Sequence, residues 1–117
     1  MISIGQKAEK FVAKYLQKKG LILITNNYNC RWGEIDLIMQ DAEYLAFIEV
    51  RFRSRRDYVT GSQSVDYRKQ QKIIKTASHY LQRQNDSECC RFDVVDIWKT
   101  HLGLYKLNWL PDAFQII

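Results

Sequence analysis

Gly33-Glu34-Ile35-Asp36-Leu37-Ile38-Met39-Gln40, followed after Asp41-Ala42-Glu43 by Tyr44-Leu45-Ala46-Phe47-Ile48-Glu49-Val50-Arg51-Phe52-Arg53, is the stretch that decides the fold. Each half alternates in the way of a β-strand, and the three residues between them are a connection of hairpin length. In the first half Ile35, Leu37 and Met39 fall on one face, with Glu34, Asp36 and Ile38 on the other. In the second, Leu45, Phe47, Glu49 and Arg51 oppose Ala46, Ile48, Val50 and Phe52. Asp36 and Glu49 stand out because each is a carboxylate inside an apolar strand, where an unpaired charge is expensive. A symmetric hairpin about residues 41–43 places position 36 opposite position 48 or 49. For a directly opposed pair, that brings the Cβ atoms to within about 5 Å.

Two adjacent buried carboxylates repel one another. A divalent, oxygen-seeking cation such as Mg²⁺ removes that penalty, and such sites commonly combine one or two carboxylates with waters and phosphates. Arg51, two residues beyond Glu49 on the same strand face, can pair with a carboxylate or hold a phosphate oxygen. The competing reading is purely structural, with Asp36 and Glu49 neutralised by Arg51 and Arg53.

Outward from the hairpin, Ser3 and Gln6 form a capping box that opens a helix. Ala8, Phe11, Val12, Tyr15 and Leu16 recur at helical spacing, and Gly20 stops the element. Glu9 sits at the edge of that apolar stripe. Residues 21–25 read as a short strand, and the asparagines at 26, 27 and 29 read as a turn leading to Gly33. A second helix is expected over 65–84, with Ile73, Ile74, Ala77, Tyr80 and Leu81 as its stripe, Lys69 on the border and Gln70 at the centre. Strands follow at 91–98 and 104–109. The order α-β-β-β-α-β-β predicts an α/β fold in one domain over 1–117, a mixed sheet flanked by helices. Asp93 and Asp96 read as holding strand ends.

The chain carries 18 Lys and Arg against 13 Asp and Glu, a net charge of +5 that leans towards a polyanionic partner. Its distribution says more than its sum. Arg51, Arg53, Arg55 and Arg56 fall within six residues, with Tyr58 in the same loop, and Arg68, Lys69, Lys72 and Lys75 follow on the second helix. The three cysteines (Cys30, Cys89 and Cys90) and the two histidines (His79 and His101) lack the spacing of a disulfide framework or a zinc cage, and read as reduced thiols in a cytoplasmic protein. No apolar run has the length of a membrane span, and no small-molecule cofactor motif is present.

Gly5-Gln6-Lys7-Ala8-Glu9, Gly33-Glu34-Ile35-Asp36-Leu37-Ile38, Phe47-Ile48-Glu49-Val50-Arg51-Phe52-Arg53, Lys69 and Arg91-Phe92-Asp93-Val94-Val95 together resemble the YraN family. These are small bacterial proteins on a restriction-endonuclease-like core, similar to archaeal Holliday-junction resolvases. The resemblance covers nearly the whole chain. It implies that Asp36 and Glu49 are metal ligands, joined by the Val50 carbonyl and by Glu9, with Glu34 as a weaker acidic candidate for a second ion. It also implies Mg²⁺ (or Mn²⁺) as cofactor, hydrolysis of phosphodiesters in branched or otherwise structured DNA, and pairing into a homodimer. The catalytic set is then Asp36, Glu49, Glu9 and Arg51, and Arg53, Arg55, Arg56, Tyr58, Arg68, Lys69 and Lys72 grip flanking phosphates. Arg51 departs from the superfamily's usual lysine. Arginine is too basic to accept a proton, so it would only orient water or stabilise charge. A catalytically inert module that binds nucleic acid on the same fold is the alternative.

Overall fold

The computed structural model describes residues 2–53, 65–84 and 89–116. Helix α1 (Ile4–Lys18) opens on the expected capping box: the Gln6 backbone N–H donates to Ser3 Oγ at 3.1 Å, and the Ser3 N–H donates to Gln6 Oε1 at 2.9 Å. Strands β1 (Ile22–Cys30), β2 (Gly33–Asp41) and β3 (Tyr44–Phe52) form an antiparallel meander. Helix α2 (Tyr67–Arg83) carries the chain across to β4 (Cys89–Lys99), which lies parallel to β3, and β5 (Tyr105–Phe114) returns antiparallel at the far edge. The five-stranded sheet has the order β1-β2-β3-β4-β5. Element order and mixed sheet are those expected of the restriction-endonuclease-like core.

One helix covers each face. Ala8, Val12, Ala13 and Leu16 of α1 pack on Leu37, Met39, Ala46, Ile48, Val95 and Ile97. Ile73, Ala77 and Tyr80 of α2 pack on Ile35, Ile38, Leu45, Phe47, Phe92 and Val94. Side chains with no exposure, such as Val12, Leu16 and Ile48, each contribute roughly 1.5–3 kcal/mol over an exposed position. Among the described residues no helix is long and apolar enough to cross a membrane.

Two strands are longer than the sequence predicts. The asparagine-rich segment after residue 25 is not a free turn: it continues β1 to Cys30, because Asn27 takes a left-handed conformation (φ 51°) that asparagine tolerates better than most residues. At the other end, β5 runs through Pro111 to Phe114; an edge strand tolerates a residue that cannot donate to the ladder.

The expected alternation of β2 also fails at one point, and that point matters. Ile35 packs under α2, whereas Leu37, two residues on, packs under α1. Residues two apart in a regular strand share a face, so β2 switches faces across Asp36. Its neighbour switches with it: Asn26 borders the α1 side beside Leu37, and Tyr28 packs on Tyr80 of α2. The ladder pairs Asn26 with Leu37 and Tyr28 with Ile35, and Asn27 and Asp36 lie between those pairs at the switch.

Candidate metal and nucleic-acid site

On its other side, the β2–β3 ladder runs from Asp41↔Tyr44 to Leu37↔Ile48 and stops there. Beyond it the strands fork. Extending the register sets position 36 against position 49, and the next backbone N–H of β3, that of Val50, donates to Asp36 Oδ2 at 2.8 Å. Asp36 and Glu49 are each 7% exposed and sit together in the fork. Glu9 reaches the same place from α1, in hydrogen-bonding contact with Asp36 and with Asn27. The break in alternation thus lets a carboxylate turn out of the sheet where elements of both layers can meet it.

Electrostatics mark the cluster. Burial, reinforced by the charge of Glu49, pushes the Asp36 carboxyl up to about 8 despite the Val50 N–H that favours its ionised form. Glu9 is raised as well, chiefly by burial, with its contacts to Asp36 and Asn27 pulling it back. The cation beside them is Lys69, whose Nζ lies 2.8 Å from Glu49 Oε2. That hydrogen bond raises the lysine above its usual range, so it is charged at neutral pH. Lys69 stands in the first turn of α2, where its backbone N–H donates to the N-cap Asp66 at 2.8 Å. The positive end of the helix therefore opens on the site, an arrangement that favours anions.

Glu9 lines a separate hollow of about 360 Å³ with Asn26, Asn27 and Leu37. A cavity of about 550 Å³ joins Asp36, Glu49 and Lys69, lined by Gly33, Glu34, Asp36, Glu49, Val50, Asp66, Arg68, Lys69, Lys72 and Ile73. Its floor is acidic and one wall, the start of α2, is basic. Glu34 is exposed on the rim. Among the described residues no three His, Cys, Asp or Glu side chains form a ready-made metal cage. The donor set is two buried carboxylates and the neighbouring Val50 backbone, all hard oxygens, which suits an ion that keeps several of its waters.

Several expected residues lie elsewhere. Arg51 faces β4, with its Nε 4.0 Å from Asp96 Oδ1, and borders a second hollow of about 380 Å³ beside Glu49 and Lys69. Arg53 is buried, its Nε 3.4 Å from the same Asp96 oxygen, so its guanidinium is held inside rather than offered to a phosphate. Asp96 is thus the partner of two arginines. Arg55, Arg56 and Tyr58 lie outside the described residues. Gln70 bonds locally, its amide donating to the Val65 carbonyl at 2.9 Å. Arg68, Lys69 and Lys72 line the cavity. Sequence reading missed one member, Asn27, whose signal was an asparagine run that looked like a turn, and one neighbour, Trp32, which precedes the cavity-lining Gly33 and stands beside Lys75.

A family model described as "Uncharacterised protein family UPF0102" matches residues 8–97. Proteins bearing the same family name are similar over almost their whole length. One from Nitrosococcus oceani is 46% identical over 114 residues, covering 96% of this chain and 91% of its own. One from Legionella pneumophila (strain Corby) is 47% identical, covering 95% and 93%. One from Coxiella burnetii (strain RSA 493 / Nine Mile phase I) is 44% identical over 115 residues, covering 97% and 92%.

Proposed function

The chain belongs to the UPF0102 family, the YraN proteins, and for this member we propose a metal-dependent endonuclease that hydrolyses phosphodiesters in structured DNA in the cytoplasm. The observation that carries this reading is the forked hairpin. It holds two buried, like-charged carboxylates side by side, Asp36 accepting from Val50 N–H and Glu49 paired with Lys69, and faces them with an open cavity lined by Arg68, Lys69 and Lys72. A carboxyl whose ionisation is strongly perturbed by burial and by a like-charged neighbour, set in a cleft, is what working sites use.

In this reading Asp36, Glu49 and the Val50 carbonyl hold Mg²⁺ or Mn²⁺, with Glu9 and Glu34 close by. The ion supplies a polarised phosphate and a bound water of lowered pKa. Asp36 must lose its proton to serve as a ligand, and its hydrogen bond from Val50 N–H fixes the direction of the free oxygen. Lys69, not Arg51, is the cation nearest the carboxylates. Being charged, it stabilises negative charge that develops on the phosphate rather than accepting a proton. Arg68 and Lys72 then grip phosphates along the helix, contacts that are indifferent to sequence and weaken steeply with salt. The usual lysine is thus replaced in space: the strand supplies Arg51 to Asp96, and the helix supplies Lys69 to Glu49.

The test is cleavage of labelled linear, single-stranded, flapped and four-way-junction DNA at low salt with Mg²⁺ or Mn²⁺, with Asp36→Ala/Glu49→Ala beside the wild type. Cleavage that needs both the metal and the carboxylates is expected, and equal cutting by the double variant would sink the mechanism.

One observation favours a second reading, an inert nucleic-acid-binding module: Arg51, standing where the superfamily's usual residue is lysine, faces Asp96 of β4. That reading expects salt-sensitive DNA binding that survives Asp36→Ala/Glu49→Ala and needs no divalent ion. A calorimetric titration showing Mg²⁺ or Mn²⁺ binding lost in the double variant would exclude it.

A further inference from the structure

The two-residue turn between β1 and β2 is Arg31-Trp32, closed by the pair Cys30↔Gly33. Gly33 has φ 148°, and a Cβ there would stand 3.3 Å from Thr76 Oγ1 and 3.9 Å from Lys72 Cβ. Only glycine lets the turn press this closely on α2. The consequence is the placement of Trp32: it is 42% exposed, next in the chain to Gly33 of the cavity wall, and two cations address its ring. The Arg31 guanidinium carbon is 4.6 Å from the Trp32 ring centroid and Lys75 Nζ is 5.3 Å away. Both distances lie within the range of a cation–π contact.

We propose that Trp32 is a stacking platform for an unpaired nucleobase of the bound DNA, with the adjoining phosphates carried along Arg68, Lys72 and Lys75. The proposal rests on the cavity being the nucleic-acid site and narrows its substrate to DNA with bases out of the stack, such as flaps, single-stranded branches or opened junctions. Two like charges beside one ring repel each other, and a phosphate between them relieves the repulsion. An exposed aromatic surface set in a basic track is the combination that single-strand binders use, because every base offers a π-face and no particular edge need be read. A paired base inside a duplex presents no such face. Lys72 lines the cavity and Lys75 adjoins the ring, so one continuous track leads from the carboxylates to Trp32. From Arg68 to Lys75 is about 10 Å along the helix axis. An unpaired strand is more extended than a duplex strand, which spends about 3.4 Å of axis on each phosphate, so the unpaired base lies within roughly three nucleotides of the phosphate held at Arg68.

The experiment measures fluorescence anisotropy with the full chain at low salt, Ca²⁺ replacing Mg²⁺, on a labelled (dT)12 strand, a flapped duplex and a blunt duplex. Trp32→Ala is expected to weaken the first two about tenfold, Trp32→Phe to retain most of the affinity, and neither to change the blunt duplex. A 2-aminopurine scan along the flap is expected to show quenching near one position in wild type and none in Trp32→Ala. Equal affinity of Trp32→Ala and wild type for the flap overturns the proposal, as does an equal loss on all three DNAs. Cleavage assays on the same proteins separate the two readings. Metal-dependent cutting that is indifferent to Trp32 on flapped and blunt DNA leaves the nuclease and removes the platform. A selective loss of flap binding in a protein that never cuts leaves the platform and removes the nuclease.

Discussion

Asp93 and the Asp36–Glu49 pair are both buried acids in the same sheet, and the chain treats them in opposite ways. Asp93 has no exposure, yet each of its oxygens is filled. Oδ1 accepts from Arg91 Nε at 2.8 Å and from the Asp112 backbone N–H at 3.0 Å. Oδ2 accepts from Arg91 Nη2 at 2.9 Å and from Trp109 Nε1 at 3.0 Å. Its donors come from its own strand and from β5, where the ladder shifts register between Phe92 and Val94. The left-handed Asp112 belongs to the same irregularity. Asp36 has one backbone donor, and its nearest charged neighbours, Glu49 and Glu9, share its sign. A saturated carboxylate holds a bulge together; an undersupplied one stores a demand for positive charge that a ligand can meet. Both sit at breaks in regular strand pairing, so the irregularity alone does not distinguish structure from function. The sign of the neighbouring charges does: Asp93 faces Arg91, whereas Asp36 faces Glu49 and Glu9.

The largest effect that tests this contrast is on stability. Asp93→Ala strands the Arg91 guanidinium, the Trp109 N–H and the Asp112 N–H in a buried setting, leaving Arg91 only Asp41 at 3.0 Å. Breaking a buried pair from one side costs about 3–5 kcal/mol. For a domain of this size that is a fall in Tm of at least about 10 °C, read by thermal denaturation. A variant that melts within 2 °C of wild type would erase the distinction between the two acids.

The next effect concerns the cation. Lys69 is more than half exposed, so its pair with Glu49 adds about 1 kcal/mol or less to stability. Lys69→Met is therefore expected to melt close to wild type and yet to lose roughly a hundredfold in cleavage, the loss that follows removal of one placed charge or donor. Lys69→Arg should recover part of the rate. If single-turnover assays show Lys69→Met at full rate and Arg51→Met inactive, the cation of the site is Arg51 after all and its contact with Asp96 is secondary.

The architecture was legible because its signals were local and strong: alternation in the hairpin, the Ser3 and Gln6 capping box, and the apolar stripes of two helices. The opposition of Asp36 and Glu49 followed from hairpin symmetry. What the sequence did not disclose depends on neighbours distant in the chain. Ile35 and Leu37 look alike in any periodicity, and only the left-handed Asn27 on the adjacent strand sends them to opposite faces. Arg51 and Lys69 were both cations within reach of the hairpin. Their assignment turns on Asp96, which the parallel register places opposite Arg51. Arg53 read as part of a basic run that grips phosphates, and the same Asp96 draws it inside. Trp32 carried no signal at all, since an aromatic in a hairpin turn acquires its meaning from Lys75, more than forty residues away.

The smallest effect, and the most specific to the undersupplied acid, is a pH dependence. In an unfolded chain an aspartate ionises near 3.9. In the folded, metal-free protein Asp36 holds its proton up to about 8. Between those values the folded state binds the extra proton, so stability falls as pH rises through the window and levels off above it. Asp36→Asn removes this term while its side-chain carbonyl still accepts from Val50 N–H. The variant should therefore melt at the same temperature as wild type near pH 4 and above it by pH 8. Because Asp36 shares its proton and charge with the adjacent Glu9 and Glu49, the gain is only part of that implied by the full shift, about 2 kcal/mol, or roughly 8 °C. Groups remote from the site titrate alike in both proteins, so the difference between the two melting curves reports Asp36 together with the acids that touch it. Added Mg²⁺ at pH 8 should raise the wild type and leave the variant where it was, reversing or closing the gap. A difference that stays flat from pH 4 to 8 would mean that Asp36 is as well satisfied as Asp93, and that the fork holds no unmet demand for a cation.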